Sequence, residues 1–266
     1  MSRYATLFRR NQGAFGAFVM LGDPDLATSE RILDALIEGG ADMIEVGIPF
    51  SDPVADGPVI QAAAARALAK GVAPGDCLAL LARFRARHPA VPVGILSYAN
   101  LVLAHGRGAF YRAVAEAGVD SVLVADVPAI EAAPFAESAR AAGVEPVLIA
   151  ATNTPEPRLA EIATLGGGYT YCVTRAGITG ADETLRLDHG ALLAALRRHG
   201  APPPVFGFGI ARPDHVAAAL AAGAAGVISG SAIVARIAAR PDDPAPAVRD
   251  FVAAMKAATR AAGPGR

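Results

Sequence analysis

The chain repeats one pattern eight times: a short apolar run, a polar loop, a stretch with apolar residues at helical spacing, and often a closing glycine. The apolar runs fall at 14–21, 43–47, 91–96, 121–125, 145–150, 169–173, 204–208 and 226–229. Each has the length of a strand and is nearly continuous in apolar character, which predicts parallel strands covered on both faces. Parallel neighbours need a crossover, and segments such as 29–38, 109–117, 131–142 and 214–222 carry Leu, Ile, Val and Ala at the spacing of a helix to supply it. Gly39, Gly40, Gly118, Gly143 and Gly223 follow these segments, as suits the left-handed turn that closes a helix. An open doubly wound sheet uses the same units, but it gives no reason for eight and usually has a glycine-rich turn after its first strand, where this chain reads Gly22-Asp23-Pro24. The expectation is therefore an α/β chain forming a closed (β/α)8 TIM barrel, a single domain over residues 1–266.

Composition narrows the function classes. Hydrophobic residues make up 53% of 266, enough for a large core, and 24 basic against 25 acidic residues leave a net charge of −1 with no basic run for nucleic acid. Apolar runs stay below the roughly 18 residues of a spanning helix, and residues 1–10 carry no apolar leader, so a soluble cytoplasmic protein is expected. Cys77 and Cys172 form no CxxC pair and read as reduced, structural thiols. The five histidines are dispersed without HxxxH or HExxH spacing, so no metal site is expected.

Chemistry on such barrels sits at the carboxyl ends of the strands. There the second run ends in Glu45, and the following loop, 48–58, holds Asp52 and Asp56 between prolines and glycines. Alternation through Met43, Ile44, Glu45 and Val46 turns Glu45 to the barrel axis if Ile44 and Val46 pack on the helices. A buried carboxyl resists ionisation and can exchange protons near neutral pH; pairing with a cation is the competing reading. Asp52 and Asp56 taken singly are ordinary turn residues, but two acids four apart in a stiffened loop beside Glu45 suit a pocket. At the ends of runs seven and eight, Phe208-Gly209 and Gly230-Ser231 offer backbone N–H groups to phosphate, Ser231 doubling as a helix cap. The long sixth loop, 174–188, joins Arg175, Thr179 and the hinge-permitting Gly177 and Gly180, a composition suited to closing over an anion.

The run from Glu45 through Val46-Gly47-Ile48-Pro49-Phe50-Ser51-Asp52-Pro53-Val54-Ala55-Asp56-Gly57 to Pro58 closely resembles the signature of the tryptophan synthase α subunits. The similarity continues through Ser97-Tyr98-Ala99-Asn100 and segments 120–128, 169–180, 207–210 and 226–234, in the same order along the chain. Met20 and Ser97 depart from it, standing where many relatives carry Thr and Met. The resemblance implies a lyase of tryptophan biosynthesis that cleaves indole-3-glycerol phosphate to indole and glyceraldehyde 3-phosphate. It implies no cofactor in this subunit and an α2β2 assembly that passes indole to a pyridoxal-phosphate (PLP) β subunit.

By the same resemblance Glu45 is the general acid and base, Asp56 holds the indole N–H and stays ionised, and Tyr171 is an active-site tyrosine. Phe18, Ile60, Leu96, Leu123 and Ala125 match the indole pocket. Gly180, Phe208, Gly209, Gly230 and Ser231 match the phosphate site, Arg175 and Thr179 the closing loop, and Asp52 and Pro53 the face toward the partner. Two other readings compete: another phosphate-binding barrel enzyme, which would need different acid/base groups, and a noncatalytic activator of a β subunit.

Overall fold

All eight apolar runs form strands, and the strands close on themselves in sequence order, each parallel to its neighbours. The computed structural model describes residues 1–10, 13–173 and 189–261. The strands are β1 (Ala14–Met20), β2 (Met43–Gly47), β3 (Val93–Ser97), β4 (Ser121–Val124), β5 (Glu145–Ala150), β6 (Thr170–Val173), β7 (Pro204–Gly207) and β8 (Gly226–Ser229). Around them run α1 (Arg3–Arg10), α2 (Leu26–Glu38), α3 (Pro58–Ala69), α4 (Pro74–Arg87), α5 (Ala99–Leu103), α6 (Arg107–Glu116), α7 (Ala133–Ala141), α8 (Glu156–Leu165), α9 (Gly190–Arg198), α10 (Pro213–Ala221), α11 (Ser231–Ala239) and α12 (Ala245–Ala261). Strand ends differ from expectation by a residue or two, and segment 131–142 divides into a short 3₁₀ turn, Ala129–Glu131, and α7. Pro134 near the start of α7 suits a helix beginning there, because an unpaired first-turn position tolerates a missing N–H. Gly40, Gly118, Gly143 and Gly223 take positive φ as expected, whereas Gly39 at −70° is still helical and Gly40 makes the turn.

Alternation sorts the side chains into two cores. Phe15, Ala17, Val19, Ile44, Val46, Ile95, Val122, Cys172, Phe206 and Val227 point outward and pack under the helices. Ala14, Phe18, Met20, Met43, Leu123, Val147, Tyr171, Val205 and Ile228 point inward and fill the barrel. Both cysteines are buried and free, and burial pushes each thiol up to about 12, which keeps it protonated and inert.

The amino-terminal end of the barrel is built for stability. Helix α1 plugs it: the Tyr4 hydroxyl lies 2.9 Å from Ser121 Oγ, and the Tyr4 ring tilts against Tyr169 with centroids 5.4 Å apart. Gly94 makes room for this plug, since a Cβ there would stand 2.8 Å from Ser121 Oγ and 3.1 Å from the Tyr4 hydroxyl. The acids at this end are paired. Asp120 accepts from Arg3 and Arg85, each at 2.7 Å, and from the Val93 N–H at 2.8 Å. Asp42 accepts from Lys256 at 2.6 Å and from the Phe15 N–H at 2.7 Å.

Candidate active site

At the opposite end Asp23 is also paired, with Arg66 at 2.7 Å, but Glu45 and Asp56 make no ion pair with a described residue. Glu45 leaves β2 toward the axis, opposite Phe18 on β1 and Gly94 on β3, and is 2% exposed. Its Oε1 accepts a 2.6 Å hydrogen bond from the Tyr169 hydroxyl, and its Oε2 is buried with no partner among the described residues. Desolvation therefore dominates: burial raises the Glu45 carboxyl, the Tyr169 hydrogen bond pulls it down, the negative charge of Asp56 pushes it up again, and the net result is a rise from 4.5 to about 7. The cation pairing weighed against an acid/base role is absent among the described residues.

Asp56 reaches the same space from the loop before α3. Pro53 turns the chain by accepting the Asp56 N–H, and Gln61 on the first turn of α3 donates to the Asp56 carbonyl at 2.8 Å, so the loop is tied to its own helix. Asp56 is buried, and that burial raises its carboxyl as well, from its ordinary value of 3.8. The Tyr98 hydroxyl lies near enough to oppose the rise but makes no hydrogen bond of ordinary geometry. Phe50 stacks on Tyr98 at 5.3 Å and steadies it. Asp52, in contrast, points to solvent beside Ser51, with Pro53 half-buried, and both lie outside the cavity.

The two carboxyls open into a small cavity of about 80 Å³. Phe18, Ile60, Leu96 and Ile228 form its apolar wall, Tyr171 its floor, and Phe208, Gly209, Gly230 and Ser231 its far rim. Leu123 and Ala125 belong to the same inner core but do not line the cavity. Gly207 allows Tyr171 to lie flat across the strand, because a Cβ at 207 would fall 2.0 Å from the Tyr171 hydroxyl. Phe208 meets that ring edge-on at 5.8 Å. Ser231 opens α11; the Ile233 and Val234 N–H groups donate to the Gly230 carbonyl, while the N–H groups of Ser231 and Ala232 precede the first intrahelical bond and leave partial positive charge at this helix end. No Lys or Arg lines the cavity among the described residues. Met20 sits in the inner core against Gly47, and Ser97 is buried with its hydroxyl unpartnered. Arg175, Thr179 and Gly180 lie outside the described residues.

Two residues of this site escaped the sequence reading, Tyr169 and Tyr98. The first was within reach, since Tyr169 and Tyr171 alternate on one face of the sixth run and face the axis together. A larger, shallow groove lies outside the barrel, where Arg236 covers the Phe251 ring at 3.8 Å; its acid, Asp214, is already paired with Arg212.

A closed eight-stranded parallel barrel whose carboxyl end opens on two carboxyls, with no Lys or Arg lining the cavity among the described residues, has the architecture and site position of the (β/α)8-barrel enzymes. The family model described as tryptophan synthase alpha chain matches residues 4–262. The tryptophan synthase alpha chain of Shewanella amazonensis is 53% identical, covering 97% of this chain and 100% of its own, and that of Klebsiella pneumoniae is 51% identical, covering 98% and 100%. Among solved structures, the tryptophan synthase subunit alpha of Legionella pneumophila superposes with a TM-score of 0.88 at 29% identity over 98% of this chain and 99% of its own. A structure described as the basis of mutual activation of the tryptophan synthase α2β2 complex of Pyrococcus furiosus gives 0.85 at 34% over 93% and 98%. The chain belongs to the tryptophan synthase alpha chain family.

Proposed function

We propose that this chain cleaves indole-3-glycerol phosphate by a retro-aldol reaction and hands indole to a β subunit in an α2β2 assembly. The observation that carries the chemistry is Glu45: a carboxyl raised to about 7, with one oxygen bare, facing a second acid across an apolar cavity. Such a group is divided between its protonated and ionised forms at neutral pH, and the reaction uses both.

Protonated Glu45 delivers its proton to indole C3, which leaves positive charge on the ring nitrogen. Asp56 accepts the ring N–H and offsets that charge in a site of low dielectric. The Glu45 carboxylate then takes the proton of the hydroxyl on the adjacent glycerol carbon. As that oxygen becomes a carbonyl, the carbon–carbon bond breaks and its electron pair returns to the ring as indole. Glu45 ends protonated, as it began, so the cycle needs no external proton. Phe18, Ile60 and Leu96 clasp the planar ring, with Leu123 and Ala125 backing the pocket, and Tyr171 bounds the reacting end. The phosphate rests on the backbone at Phe208-Gly209 and Gly230-Ser231, with helix charge in place of a cation. Arg175, Thr179 and Gly180 belong to the loop that shuts over the substrate, and Asp52 and Pro53 to the surface that meets the β subunit. The PLP of the second reaction belongs to that partner. The setting proposed for both steps is the cytoplasm.

Indole release from indole-3-glycerol phosphate, measured with and without a β subunit for the wild type and Glu45→Gln, tests the proposal. The expected result is slow release, accelerated by the partner and abolished in the variant. Unchanged cleavage by Glu45→Gln would remove Glu45 from the mechanism, and no indole even with partner would move the chain to another substrate.

A further inference from the structure

The loop after β7 carries unusual backbone. Phe208 has a φ of +70°, the one non-glycine residue with positive φ among those described, and Gly209 follows at +72°. A left-handed conformation is disfavoured for a non-glycine residue and persists only where its surroundings hold it. Two side chains hold this one. His215, in the first turn of α10 and 7% exposed, lies with Nδ1 2.8 Å from the Gly209 carbonyl. A carbonyl only accepts, so Nδ1 carries the proton and donates; the longer 3.4 Å approach of the Ala211 amide to the same nitrogen is then not a hydrogen bond. The fully buried Ser229, at the end of β8, donates from its hydroxyl to the Ile210 carbonyl at 2.6 Å.

Consecutive carbonyls of the loop are thus tied back to α10 and β8, while Phe208, Gly209 and Ile210 line the cavity. A carbonyl turned into that rim would set a negative dipole against an anion; with both held away, what the loop offers is its N–H groups. We infer that His215 and Ser229 are positioning residues for anion binding: they lock the peptide orientations of the loop after β7, so that the site selects phosphorylated over unphosphorylated substrate. This rests on the proposed function for the identity of the substrate and for the placement of its phosphate at this loop.

The test compares wild type, His215→Leu, His215→Asn and Ser229→Ala. Asn sets an amide N–H near the position of Nδ1, whereas Leu fills comparable space without a donor. The first readout is kcat/KM for indole-3-glycerol phosphate relative to indoleglycerol without phosphate. The second, independent of turnover, is the rise in Tm produced by inorganic phosphate. The expected result is that the substrate ratio falls about tenfold in His215→Leu through KM, that the phosphate-induced Tm rise shrinks with it, and that His215→Asn restores both. Ser229→Ala should shift both in the same direction and reads the same lock should His215→Leu fail to fold. Equal loss for both substrates, or an undiminished phosphate response in the donor-less variants, would overturn the inference. Absence of cleavage by the wild type would overturn the substrate assignment instead, leaving the phosphate response to judge the lock.

Discussion

Replacing Glu45 with Gln removes the one carboxyl at the barrel axis that is raised to about 7, and the cost of holding it can be read from stability alone. Between pH 4.5 and about 7 the folded chain keeps a proton that the unfolded chain has released. Folded stability therefore falls as pH rises through that window and levels off above it. The gap between 4.5 and about 7, at about 1.36 kcal/mol per pH unit, corresponds to about 3 kcal/mol at full development. Gln has no proton to lose. Its carbonyl can keep the Tyr169 hydrogen bond, while its amide N–H groups enter the space where Oε2 has no partner, a cost of about 1 to 3 kcal/mol that does not vary with pH. The diagnostic is thus the slope rather than the offset. Urea unfolding of both proteins at pH 5, 6, 7 and 8 should show the variant gaining about 2 to 3 kcal/mol on the wild type across the series, with the contributions of distant groups cancelling in the difference. A difference flat to within about 0.5 kcal/mol would refute the reasoning, since Glu45 would then titrate alike in both states.

Tyr169→Phe deletes the hydrogen bond that pulls the Glu45 carboxyl down, so the ionisation attributed to Glu45 in the pH profile of kcat/KM should move upward by on the order of one unit; an unmoved or lowered value would count against that bond. Asp56→Asn keeps the shape but removes the charge opposite the ring nitrogen, and kcat should drop by about 100-fold or more while KM changes little, as read in steady-state indole release. Gly207→Ala drives a Cβ into the Tyr171 ring and should cost about 1 to 3 kcal/mol in urea unfolding; a stability equal to wild type would mean that Tyr171 swings aside freely.

Periodicity sufficed for the architecture because each strand is buried on both faces and each crossover helix shows an apolar stripe, so every element carries its signal within its own residues. The same logic placed Glu45, whose direction follows from alternation with Ile44 and Val46. It failed where partners are joined across the barrel. Tyr169, just before β6, and Glu45 on β2 lie 124 residues apart on segments that are not neighbours, and no local pattern tells which inward side chain meets which. The raised Asp56 carboxyl was hidden for a related reason: a turn sequence looks solvated, and only the closed wall around it makes it buried. His215 reads as an ordinary histidine at a helix start until the Gly209 carbonyl is seen against it.

The plug at the amino-terminal end also bears on the order in which the chain can be assembled during synthesis. Helix α1 is made before the strands, yet its seat is formed by Ser121, Asp120 and Tyr169, residues that emerge only as β4 and β6 begin. Until then Tyr4 and Leu7, buried in the finished barrel, have no surface to cover them. Helix α1 therefore leaves the ribosome before every strand of the barrel yet cannot dock until β6 begins, and until then its apolar face is exposed to whatever else can bind it.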